Sequence, residues 1–243
     1  MSTIQHIHFD TIDSTHSWTK KHAATLDPSA ITCITADTQT SGIGRHQKQW
    51  ISPPHQNICT TLFFCLPTYL PYITNLGQIL ALSCADLLIK EGLSPQFKWP
   101  NDILIDYKKI AGVLCETVTL PERVGIVLSI GLNVNMPQQQ LDAINQPATS
   151  LLEAVGKIYD LTTLLNDLTD IFVHHLAVLQ EHGFIAFADQ YESRLAYRGQ
   201  TISCSDGVHR REGICQGITE DGRLKLLLAD GTLLLLFSSE IIA

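Results

Sequence analysis

The apolar positions of the chain recur with two different periods, and the switches between them outline its elements. Residues 4–9, 31–36, 57–66 and 124–134 are short runs rich in β-branched and aromatic side chains, as strands are. Residues 71–91 place Ile73, Leu76, Leu80, Cys84, Leu87 and Leu88 at intervals of three and four between Pro71 and Gly92, which predicts a helix with a buried face. Similar spacing predicts helices over about 149–155, 161–181 and 184–194, and capping residues predict another from Asp13 or Ser14 to about Ala24. Residues 96–105 and 109–116 read as strand, turn, strand, turn, strand, because Pro100-Asn101-Asp102 and Asp106-Tyr107-Lys108-Lys109 are turn chemistry. Beyond Tyr197-Arg198-Gly199 short strands alternate with Asp206-Gly207, Asp221-Gly222 and Asp230-Gly231, the pattern of a small β-barrel or sandwich. The chain is therefore α+β, with a mixed β-sheet domain flanked by helices over 1–195 and a small β domain over 196–243.

Some places break this pattern. Lys98 lies between Phe97 and Trp99, so alternation aims it at the face opposite the two rings. An interior ammonium would need an anion nearby, from protein or ligand; an edge lysine facing water fits the spacing equally well. Gly112, in a bulky strand, marks close approach of a ligand or another backbone, or a bulge. Residues 37–50 lose periodic apolar content, with Gly42 and Gly44 straddling Ile43 and cations at Arg45 and Lys48. Such a segment could fold over an anion as a backbone nest or stay a solvated glycine-rich loop. Asn133 and Asn135 end the 124–134 strand as recognition amides or as turn formers.

At 243 residues, 45% hydrophobic and 16% charged, the chain is globular with room for a substantial core. A formal net charge of −8 argues against a general binder of nucleic acid or anionic membrane. No apolar run reaches spanning length and no leader opens the chain, so a soluble cytoplasmic protein is expected. Seven cysteines contain no C-x-x-C pair and sit in apolar patterns, as reduced core residues do. No histidine falls at zinc-site spacing backed by a second ligand pair, so no metal site is expected.

Lys98-Trp99-Pro100-Asn101-Asp102, followed by Lys109-Ile110-Ala111-Gly112-Val113-Leu114-Cys115-Glu116, resembles the core of the biotin protein ligases, also called biotin–acetyl-CoA-carboxylase ligases or holocarboxylase synthetases. Asp13-Ser14-Thr15-His16 is similar to that family's Asp-Ser-Thr-Asn, and Gln39 through Trp50 to its Gln-x-x-Gly-Arg-Gly-Arg-x-x-Arg-x-Trp loop. Ile130 through Asn135 is similar to its Gly-x-Asn-x-Asn strand end, and Ala148-Thr149-Ser150-Leu151 to its Ala-Thr-Ser-Leu. The resemblance implies a class II synthetase-like catalytic domain with an SH3-like C-terminal barrel. It also implies a two-step acyl transfer: biotin is activated by ATP as biotinyl-5'-AMP, then passed to a lysine of a biotin carboxyl carrier protein of acetyl-CoA carboxylase. Lys98 and Arg45 become the catalytic cations, shared by carboxylate and phosphate. Ser14, Thr15 and Gln39 hydrogen-bond the ureido ring, and His16, Ile43, Gly44 and Gly112 complete the biotin-binding set with Arg45 and Lys98. Trp50, Asn101, Lys109 and Asn133 join Arg45 and Lys98 on the ATP side, with magnesium held largely by phosphates. The carrier is the expected partner, with no nucleic acid or membrane; a homodimer is left open.

Ile43 replaces the first arginine of Gly-Arg-Gly-Arg, His16 replaces asparagine, and Gln47-Lys48 replaces Gly-Arg. Ile43 leaves Arg45 to hold the phosphate and keeps a non-catalytic biotin sensor in view. A lipoate–protein ligase is the rival enzyme, against which stand the intact Lys-Trp-Pro-Asn-Asp and the C-terminal barrel.

Overall fold

The computed structural model describes residues 4–67 and 70–242. Its strands are β1 (Ile4–Ile12), β2 (Ile31–Gln39), β3 (Asn57–Leu66), β4 (Gln96–Lys98), β5 (Asp102–Ile105), β6 (Lys108–Leu120), β7 (Arg123–Asn133), β8 (Thr201–Ser205), β9 (Arg210–Ile218), β10 (Leu224–Leu227), β11 (Leu233–Leu236) and β12 (Glu240–Ile242). Its helices are α1 (Thr15–His22), α2 (Leu76–Lys90), α3 (Gln138–Leu141), α4 (Leu151–Val155), α5 (Leu161–His182) and α6 (Ile185–Ser193). Two compact units result, one from residues 1–71 and 108–169, the other from 72–107 and 170–243.

The first unit carries strands in the order β1-β2-β3-β7-β6, with β1 and β2 parallel and the other pairs antiparallel. β1 and β2 each run three residues beyond the expected strands. The Thr40 and Ser41 N–H groups then continue the contact onto the Ile12 and Asp13 carbonyls at 2.9 and 2.8 Å. Ser14 caps α1, its hydroxyl accepting from the Ser17 N–H. Trp18 and Ala23 settle that end of the chain against Ile34, Phe63 and Val127.

In the second unit the helix expected from Pro71 begins at Leu76, after a 3-10 turn over Pro71–Asn75. The Asn75 carboxamide is engaged by Gln78 and the Asp221 carbonyl, at 2.8 and 2.9 Å. By length and composition residues 71–90 would pass for a membrane span, contrary to the expectation that no run reaches one. Two thirds of that stretch is buried within the protein, with Leu76, Ile79, Leu82 and Cys84 fully enclosed, as in a core helix. β4 and β5 form a hairpin, and Phe97 stacks on Tyr191 with ring centroids 4.3 Å apart. The outer side of β4 is covered, because Phe97 N–H donates to Arg194 and Ala196 N–H donates to Phe97. The antiparallel C-terminal sheet has the order β11-β10-β9-β8-β12. Asp-Gly turns join β8 to β9, β9 to β10 and β10 to β11; in the first, the Asp206 carboxylate accepts from Val208 and His209 N–H groups.

Candidate active site

Directly paired residues of a sheet point to one face, and every second residue along a strand returns to it. On β3, β7 and β6 that rule builds a graded floor in the first unit. Asn57 pairs with Asn133; two residues along, Cys59, Gly131 and Gly112 form a row; then come Thr61, Ser129 and Leu114; then Phe63, Val127 and Glu116. The floor thus passes from amides through small residues and hydroxyls to the apolar core.

The N-terminus of α1 meets the hydroxyl row. Gln39 Oε1 accepts from the Thr15 N–H at 2.9 Å and lies 3.1 Å from the Thr15 hydroxyl. Thr15 Oγ1 is 2.9 Å from Thr61 Oγ1, which is 2.7 Å from Ser129 Oγ, which is 2.7 Å from His16 Nδ1. His16 Nε2 faces Glu116 at 3.5 Å, and Glu116 also pairs with Lys20. Burial pulls the His16 pKa below 6.5, with Glu116 working against it. Burial pushes the Glu116 carboxyl up, but Lys20 and His16 outweigh it and hold it low.

The 37–50 segment is more ordered than its composition suggests. Ile43 and Gln49 form an antiparallel bridge, Gly44 N–H donates to Lys48 and Trp50 N–H donates to Gly42. Neither Gly42 nor Gly44 has a positive φ; the left-handed residues are His46 and Gln47. Gly42 is small because a Cβ there would sit 2.6 Å from the Trp50 carbonyl. The loop delivers the Trp50 ring onto Gly131, where any side chain would overlap it. Lys109 Nζ lies 5.5 Å from the Trp50 ring centroid, and Trp50, Lys109, Asn133, Ile144, Gln146 and Ala148 line one cavity. The wall at Ala148 is held there because Lys109 N–H donates to Pro147 and Thr149 N–H donates to Lys109. Trp50 Nε1, Ser52 Oγ and the Oδ1 atoms of Asn57 and Asn133 are buried without a hydrogen-bond partner. Each such atom costs about 1–3 kcal/mol unless a ligand satisfies it. An aromatic face beside a cation and open amides suits a planar, anionic ligand.

A family model described as the biotin/lipoate A/B protein ligase family matches residues 8–135. The chain belongs to this family. It is 29% identical over 221 residues to the biotin–acetyl-CoA-carboxylase ligase of Paracoccus denitrificans, covering 88% of this chain and 90% of that protein. It is 29% identical over 222 residues to the bifunctional ligase/repressor BirA of Escherichia coli, covering 90% of this chain and 68% of that one. Among solved structures, a biotin protein ligase from Aquifex aeolicus in complex with biotin and ATP matches with a TM-score of 0.82 and 28% identity, over 98% of this chain and 97% of that one.

Of the residues picked out by resemblance to the biotin ligases, the structure brings Thr15, His16 and Gln39 together at the hydroxyl row, while the Ser14 hydroxyl caps α1 beside it. It brings Trp50, Lys109 and Asn133 together at the cavity. Gly112 lies in the floor between them, opposite Gly131, and Ile43, Gly44 and Arg45 lie in the loop that carries Trp50. Lys98 and Asn101 stand at the β4–β5 turn of the second unit, Lys98 half-buried between the enclosed Phe97 and Trp99. Sequence reasoning quoted Glu116 and Gly131 within motifs but gave them no role, and it missed Thr61, Ser129 and Cys59. The signal was present: Asn57, Cys59 and Thr61, like Ser129, Gly131 and Asn133, are small or polar at every second position of apolar strands. Burial pushes the Cys59 thiol up to about 11, so it serves as a neutral wall. Among the described residues, the ligand atoms of His8, Asp10 and Asp37 lie within 4.8 Å of one another on the surface, as exposed charged groups commonly do without a metal.

Proposed function

We propose that the chain is an ATP-dependent biotin–protein ligase. The observation that carries this reading is that the Thr61–Ser129 row of β3 and β7 meets Thr15 of α1 and Gln39 at the end of β2 in one hydroxyl and amide set. Two to four residues along the same strands lies the Trp50–Lys109–Asn133 cavity. A cyclic urea, with one acceptor and two N–H donors, suits the first; a purine nucleotide suits the second. The relatives named for biotin, or bound to biotin and ATP, support the same substrates.

In the reaction a biotin carboxylate oxygen attacks the α-phosphorus of ATP, supplied as its magnesium complex, and pyrophosphate leaves. A carrier lysine amine then attacks the acyl carbon, AMP leaves, and an amide forms. Charge gathers on the phosphoryl oxygens, where Arg45 offers a planar fork and Lys98, on the strength of its motif, a second cation. The acceptor is proposed to be a biotin carboxyl carrier protein. The compartment is proposed to be the cytoplasm, where seven unpaired cysteines stay reduced.

Biotin-dependent exchange of pyrophosphate into ATP tests the first step. Exchange with biotin is the expected result, and Lys98→Ala should reduce it by at least about a thousandfold while the protein stays folded. Exchange with lipoate in place of biotin would move the protein to the family's other substrate. Biotin binding with no exchange would make it a sensor.

A further inference from the structure

His16 stands where the biotin ligases carry asparagine, and its ring ends a chain of hydroxyls that terminates at Gln39. We propose that His16 is a positioning residue that sets the direction of this chain, and thereby how many hydrogen-bond acceptors the site offers to the N–H groups of a cyclic urea. The proposal deepens the ligase reading and rests on it.

Each hydroxyl has one proton to donate, so the chain has only two consistent directions. Glu116 faces His16 Nε2 at 3.5 Å, and an ionised carboxylate there favours a proton on Nε2. In neutral His16 that leaves Nδ1 as an acceptor. With Nδ1 accepting, Ser129 donates to His16, Thr61 to Ser129, and Thr15 to Thr61, the last reversing the Thr61-to-Thr15 bond of the structure. Gln39 Oε1 is left with the Thr15 N–H alone, so both it and Thr15 Oγ1 keep lone pairs for ligand N–H groups.

Protonated His16 donates from Nδ1 to Ser129, and every hydroxyl turns round. Ser129 donates to Thr61, Thr61 to Thr15, and Thr15 to Gln39 Oε1 over the 3.1 Å separation. Thr15 and Gln39 each lose an acceptor site. A cyclic urea therefore binds the neutral form more tightly, while ATP, which does not touch this row, is indifferent.

The charged groups facing His16 are Glu116 from β6, which favours its protonation, and Lys20 from its own helix, which opposes it. Ser129 of β7 and Thr61 of β3 carry no charge. Burial dominates and lowers the His16 pKa, so the neutral direction prevails at pH 7.

The test is the pH dependence of KM in biotin-dependent ATP–pyrophosphate exchange, measured from pH 5 to 8 for the wild type, Ser129→Ala and His16→Asn. In the wild type KM for biotin should rise as pH falls, approaching tenfold per pH unit, with KM for ATP and kcat little changed. Ser129→Ala leaves His16 able to titrate but breaks the chain, so its KM for biotin should lose the pH dependence; His16→Asn should lose it too. A chain that merely packs the core predicts parallel profiles for wild type and Ser129→Ala, and that result, or a flat wild-type profile, would overturn the proposal. Thermal melts establish that both variants fold, and binding of labelled biotin at the two pH extremes gives the same comparison without turnover. Absence of biotin-dependent exchange at every pH would instead overturn the ligase reading.

Discussion

Gly42 and Gly131 both accommodate Trp50, yet a methyl group at each should act differently. At Gly42 the obstacle is a backbone carbonyl fixed by the Trp50 N–H to Gly42 hydrogen bond, and backbone yields only by opening the loop. At Gly131 the obstacle is an indole on two rotatable bonds, which can swing away. Gly42→Ala should therefore destabilise the protein by about 1–3 kcal/mol. Gly131→Ala should cost less than about 1 kcal/mol but raise KM for ATP roughly tenfold or more, because the displaced ring enters the cavity it now walls. Urea midpoints and exchange kinetics on the two variants check this contrast; equal midpoints with equal KM values would contradict it.

The elements differ in how far the sequence discloses them. β3 and β7 could be read from their apolar runs, and the three Asp-Gly pairs mark their hairpins because that dipeptide has few conformations it prefers more. Ser14 and Gln39 were legible as a cap and as the start of a polar loop. The hydroxyl row was not, since Thr61 and Ser129 come from two strands and Thr15 from a helix, and they meet only through register and packing, which no local pattern states. The 37–50 segment misleads for a related reason. Its order comes from backbone bonds to Ile12 and Asp13 and from the Ile43–Gln49 bridge, and backbone groups leave no trace in composition. The bridge is a single one, so the tip from Ile43 to Gln49 should open locally more often than the strands beside it. Amide hydrogen exchange at 43–49 is expected to be fast in the free protein and to slow by roughly tenfold or more with biotin and ATP together. Unchanged exchange at those amides would show that the loop does not close on ligand.

For the whole molecule, acid should act in two windows. The His16 pKa is lowered in the fold, so between 6.5 and its folded value the unfolded chain binds a proton that the native state does not. Stability from this source is fully present above pH 6.5 and is lost as pH falls through that window. The second window belongs to carboxylates. Burial raises the Asp86 carboxyl, but bonds from His175 and Arg194 outweigh it and hold it below 3.8, and Glu116 is held below 4.5 in the same manner. Their contribution is present above those values and is lost as pH falls through the lower, folded ones. A net charge of −8 complicates the upper window, because protonating surface histidines reduces self-repulsion and so stabilises the fold on mild acidification. Salt separates the two effects: at 1 M the screening length is about 3 Å, which suppresses the surface contribution but leaves the enclosed His16 unaffected. Urea midpoints in 1 M salt should therefore decline first below pH 6.5 and again below about pH 4. His16→Asn should remove the first decline alone. Asp86→Asn should lower the neutral plateau by about 1–3 kcal/mol and flatten the second. A first decline that survives in His16→Asn would assign the upper window to other groups.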